Sequence, residues 1–206
     1  MNTTKLQQAE HEFLHRYPGG FLHPDMQAIG KKHKMDAMIA FANDHFKKSH
    51  FRQPQDIAEN MIKMISRSSM VSMFEKPKFR DFVHSLNDKE TRKLSNALKN
   101  QLHGDQKKGF NDLLTLLQGQ KLAKWSLTTI IPNYFYPNEE VFVKPTTAKN
   151  VIAHFELQGL EYKPAPSWDF YQKYKQAIHT MKQKVDSTLT STNAAFCGFL
   201  MMTCGR

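Results

Sequence analysis

Residues 124–171 read KWSLTTIIPNYFYPNEEVFVKPTTAKNVIAHFELQGLEYKPAPSWDFY, and what they form decides the fold class. Leu127 to Ile131 is apolar and β-branched, Pro132, Asn133, Pro137 and Asn138 punctuate the aromatic run, and Val141-Phe142-Val143 has strand character. A short hairpin and an irregular aromatic loop fit these residues equally well. Beyond them, Thr147 to Leu157 reads as a helix, and Ser167 caps another with Phe170, Tyr174, Ala177, Ile178 and Met181 on one stripe.

Upstream of this stretch every segment has helical spacing. Leu6, Ala9, Phe13 and Tyr17 recur as one face, ended by Pro18-Gly19-Gly20. Residues 24–47 read as one helix, apolar on more than one side and therefore central. A third begins at Pro54, a favourable first-turn position, and carries Ile57, Met61, Met64 and Ile65. Phe79, Phe82, Val83 and Leu86 mark a fourth. Asp88 caps a fifth with Leu94, Leu98 and Leu102. Asp105 caps a sixth that ends at Gly119. Downstream, 186–193 is a polar linker, and Ala194 to Thr203 is apolar all round, a short helix or a buried strand. The expected fold is mainly α: a single-domain multi-helix protein with a small irregular or short-hairpin aromatic C-terminal subdomain. Its division is 1–123 helical domain and 124–206 aromatic Lys-Pro subdomain packed on it, or one domain overall.

The chain has 206 residues, 40% of them hydrophobic and 23% charged, enough to bury a core and unlike a disordered polymer. Its 29 Lys+Arg against 19 Asp+Glu give a net charge of +10. Such a surplus favours polyanionic partners without specifying a fold. The two cysteines, Cys197 and Cys204, cannot build a disulfide framework, and no apolar leader precedes the charged Lys5–Arg16 stretch; both suit the cytoplasm. The longest apolar run, 194–202, is far below the ~20 residues of a membrane span. No membrane partner and no cofactor are expected.

Three motifs carry candidate chemistry. His11-Glu12-Phe13-Leu14-His15 matches H-E-x-x-H, which in metalloproteases holds zinc between the imidazoles with the glutamate as base. If Leu6, Phe13 and Tyr17 face the core, however, His11 and His15 face solvent. The enzymatic alternative is a metal-dependent hydrolase using His11, Glu12 and His15. Lys144-Pro145-Thr146-Thr147 opens a helix with a cation, two hydroxyls and free amides. With Lys149 it forms a candidate anion seat, set against the plain reading of an ordinary Pro-initiated helix with a solvated lysine. Glu75-Lys76-Pro77-Lys78 has a similar shape. Aromatics including Tyr134, Tyr136, Trp168 and Tyr171 interleave with Lys124, Lys144, Lys149 and Lys163. They are a candidate base-stacking patch, against the plainer alternative of core packing. Lys31-Lys32-His33-Lys34 and Lys107-Lys108 add to the positive field. No Gly-rich phosphate loop, nucleophile elbow or CxxC pair is present, and Cys197 among apolar neighbours reads as an inert thiol.

The order Trp125…Thr129…Pro132…Pro137…Phe142-Val143-Lys144-Pro145, then Tyr162…Pro166-Ser167-Trp168…Tyr171, resembles the C-terminal part of a family of bacterial proteins of about this length with no assigned activity. Pro18-Gly19-Gly20-Phe21 is similar to that family's N-terminal part. Cys197 and Gly198 interrupt the family's aromatic-rich ending. The resemblance implies a bacterial cytoplasmic origin and no mechanism. The leading expectation is non-enzymatic binding of nucleic acid or another polyanion; a protein–protein interaction module, with oligomerisation, is the third reading.

Overall fold

A computed structural model describes residues 1–204, and among them there are eleven α-helices and no strand. The first helix, α1 (Thr3–Arg16), is capped by the Asn2 side chain, which accepts from the Lys5 amide. Residues 24–47 do not make the single helix expected. They form α2 (Pro24–His33) and α3 (Met35–His45), separated at Lys34, whose backbone is left-handed at φ +52°. A non-glycine residue in that region breaks the helical ladder and redirects the chain. The apolar character on two sides of this segment therefore belongs to two helices with different facings.

The next helices are α4 (Pro54–Arg67), α5 (Glu75–His84), α6 (Asp88–His103) and α7 (Gln106–Gln118). Asn87, not Asp88, caps α6, in a reciprocal capping box with Glu90, which satisfies two end amides at once. Asp105 caps α7 as its position foretold. The α6–α7 pair packs closely because Gly109 presents no side chain: a Cβ there would lie 2.2 Å from the Gln101 amide nitrogen and 2.6 Å from the Ala97 carbonyl oxygen.

The aromatic stretch is where the sequence reading needs correction. It contains no hairpin. Trp125–Phe135 is a helix, α8, with Pro132 inside it. Nearly all of this helix is buried, so tertiary packing overrides the β propensity of its threonines and isoleucines. Thr128 and Thr129 turn their hydroxyls back onto carbonyls of Lys124 and Trp125. Pro132 cannot donate to the Thr128 carbonyl four residues back. That oxygen accepts instead from the Gln101 side chain, 2.9 Å away. The following Val141, Phe142 and Val143 are buried and belong to no helix or strand.

The chain closes with α9 (Pro145–His154), α10 (Trp168–Lys182) and α11 (Asn193–Thr203). Helix α9 starts at Pro145, two residues earlier than read, and Glu156 turns left-handed just beyond its end. Ser167 caps α10 and Thr192 caps α11. A short 3-10 turn, Ser187–Leu189, lies in the polar linker.

The buried side chains form two clusters. One draws on α3 to α8: Phe46, Ile57, Met61, Leu94, Leu98, Ile130 and Tyr134 are among its members. The other joins α1 to α9, α10 and α11 around Trp125, Phe155, Tyr174, Phe196 and Phe199. Helix α8 and the segment that follows it contribute to both. Phe142 enters the first cluster, and Val141 and Val143 the second. The strand-like alternation of 141–143 records a segment lying between two cores.

Candidate polyanion-binding face

Most of the cations among the described residues have no counter-charge within 4.0 Å. Among the described residues, six lysine or arginine side chains lie within 4.0 Å of a carboxylate. Lys124, Lys144, Lys149 and Lys163 are exposed and are not among them. The fold gathers these lysines around the start of α8. The Lys149 ammonium lies 5.2 Å from the centre of the Tyr162 ring, a cation–π distance. The residue after Tyr162, Lys163, accepts at its carbonyl from the Trp125 indole N–H, 2.9 Å away. Lys124 precedes Trp125 and is the N-cap of α8, with no side-chain cap bond. The amide of Val143 donates to Thr129 Oγ1 at 3.1 Å, one turn further along α8, which brings the following Lys144 to the same region. A cleft of about 210 Å³ adjoins Lys163, and there Glu161 and Asp169 bound the positive surface.

The residues of the expected anion seat differ in exposure. Lys144, Thr146 and Lys149 are exposed, whereas Thr147 is 7% exposed and packs inward with Ala148 and Val151.

Of the expected stacking patch, Tyr134 and Tyr171 are core. Tyr134 is fully buried with its hydroxyl 3.0 Å from Ser68 Oγ. Tyr171 is 1% exposed, and its hydroxyl donates to Glu140. Tyr136 and Trp168 are half-buried; Tyr136 donates to the Leu102 carbonyl, and Trp168 packs on Phe110 and Tyr171. Core packing, the plainer alternative, describes Tyr134 and Tyr171, while Tyr136 and Trp168 keep partly exposed rings with internal contacts. Burial with mutual ring contacts is the usual fate of large aromatics.

His11, Glu12 and His15 all lie exposed on α1, as the helical face requires, and Glu12 accepts from Gln8. Among the described residues no group of three or more His, Cys, Asp or Glu side chains is arranged to hold a metal. The densest set of titratable groups is elsewhere. Glu140 accepts from Tyr171 and from Lys175, whose ammonium is 2.9 Å away. Asn193 links the Glu140 carbonyl, His179 and Lys182. Sequence reading missed this network because its members are spread over 54 residues of chain, from Glu140 to Asn193, and match no motif. Burial, followed by the charge of Glu140, raises the Tyr171 hydroxyl well above its ordinary value. Burial also pushes the Cys197 thiol up to about 12, against a smaller opposing pull from Lys182, so it stays protonated and unreactive at neutral pH. Neither the 210 Å³ cleft nor another of about 260 Å³, beside Phe21, Leu22 and Thr188, is lined by these groups. The network ties the 137–141 segment to α10 and α11, and has the features of an internal fastening.

Among the described residues, no helix is long and apolar enough to cross a membrane. Comparison of the chain with protein-family models, curated proteins and solved structures finds no significant match.

Proposed function

We propose that the chain is a non-enzymatic polyanion-binding protein with nucleic acid as its ligand. The observation that carries this reading is the gathering of Lys124, Lys149 and Lys163 around Tyr162 and Trp125, with Lys144 alongside and, among the described residues, no carboxylate paired to any of the four. An unpaired lysine exchanges condensed counterions of a phosphate backbone for itself, so affinity comes with a steep salt dependence. Replacing all four lysines by alanine is expected to make the slope of log K against log salt shallower by roughly 3, at about 0.7–0.9 per phosphate contact. Lys144→Ala alone is expected to weaken binding by roughly tenfold, as loss of a charge-assisted contact does. Fluorescence anisotropy with a labelled oligonucleotide over 50–300 mM salt reads both quantities. An unchanged slope in the fourfold variant would remove this face from the ligand. The exposed positions of these side chains make the variants' folding a fair control, checked by circular dichroism.

A further inference from the structure

The aromatic that stands free beside these lysines is Phe74, which is 81% exposed, with Met73 next to it equally so. They form the tip of the turn between α4 and α5. The Phe74 amide donates to Ser72 Oγ and the Glu75 amide to the Ser72 carbonyl, so the tip is a defined turn. Glu75, the acidic residue that follows it in the chain, is engaged elsewhere: it accepts from Ser126 Oγ at 2.6 Å. That bond also sets the tip against the start of α8, two residues from Lys124. On its other side, His33 Nδ1 lies 2.8 Å from Ser69 Oγ, which brings up the exposed Lys31, Lys32 and Lys34. Lys76 and Lys78 follow in the first turn of α5, and none of these five lysines pairs with a carboxylate among the described residues.

We propose that Phe74, supported by Met73, is the base-stacking contact of the basic face and that the ligand is single-stranded nucleic acid. The proposal rests on the polyanion-binding reading and narrows it. A ring projecting from a turn can take an unpaired base on its face, and flanking lysines follow the backbone. A duplex offers neither unstacked bases nor a flexible path. The cations around the tip belong to several separate segments, which a flexible strand can visit in turn; a flat lipid surface meets only those on one plane. A protein partner would need about 800 Å² from this side, far more than two side chains supply.

The test uses the full chain and its Phe74→Ala and Phe74→Trp variants with oligo(dT), a duplex of equal length, and vesicles containing phosphatidylserine. Expected are preferential binding of oligo(dT) over duplex, a loss of at least about tenfold in Phe74→Ala, corresponding to stacking of one base, and quenching of the added tryptophan by oligo(dT). Equal oligo(dT) affinity of wild type and Phe74→Ala would overturn the stacking role while leaving lysine-mediated binding intact. A preference for duplex would overturn the single-strand assignment. A blue shift of the added tryptophan on vesicles, without quenching by oligo(dT), would reassign the tip to lipid. Absence of any nucleic-acid binding would overturn both this inference and the reading beneath it.

Discussion

Pro132 removes one rung from α8, and Gln101 on a different helix supplies the replacement donor to the Thr128 carbonyl. Gln101 is 4% exposed, so no solvent competes for that oxygen, and its loss should leave a buried acceptor unpaired at about 1–3 kcal/mol. The side chain's own Oε1 has no partner, which offsets part of the gain. A double-mutant cycle separates these effects. Gln101→Leu is expected to destabilise the native chain measurably in urea, and by less than half as much in a Pro132→Ala background, where residue 132 regains an N–H for Thr128. Equal costs in the two backgrounds would mean that the carbonyl is satisfied independently of Gln101. Such a pairing has no local signature, since a proline and the glutamine that completes its helix lie 31 residues apart.

Among the elements, the α6–α7 pair depends most visibly on one position. The space at Gly109 is filled by backbone of Ala97, Asn100 and Gln101, with the closest atom at 2.2 Å from a would-be Cβ, and backbone cannot swing aside as a flexible side chain can. Gly109→Ala, which in an open helix would gain up to about 1 kcal/mol of helix propensity, should here force the helices apart and destabilise by about 1–3 kcal/mol, the range of overpacked cores. A thermal melt at or above the wild-type midpoint would contradict the close approach. Element by element, the amphipathic helices α1, α4, α6, α7 and α10 were legible in the chain because one apolar stripe defines each, helped by the caps Asp105 and Ser167 at α7 and α10 and by the first-turn Pro54 at α4. The others were legible only in part. The break at Lys34 carries no glycine or proline, and the helical state of 125–135 comes from burial on every side, which propensity cannot anticipate. The site followed the same rule: Lys144 and Lys149 could be chosen from their charge and place. Phe74 could not be distinguished from Tyr134 or Tyr171, because exposure is a property of the assembled molecule.

On the scale of the whole molecule, the two cores share a spine. Trp125 belongs to one cluster, and Leu127, Ile130, Ile131 and Tyr134 of the same helix belong to the other; Val141, Phe142 and Val143 alternate between them. A rigid helix common to both cannot lose its packing on one side and keep it on the other, so the clusters should unfold together as a two-state unit. Both tryptophans, Trp125 and Trp168, sit with the second cluster, which makes their fluorescence a reporter of that half. Ile130 is fully buried in the first. Ile130→Ala should cost about 2–5 kcal/mol, as isoleucine truncations in tight cores do. If the spine couples the halves, the tryptophan transition in urea should move down by the same amount as the far-ultraviolet circular dichroism transition, with an unchanged slope. A fluorescence midpoint that stays in place while the dichroism curve splits into two steps would show that the cores melt separately, with α8 unravelling between them.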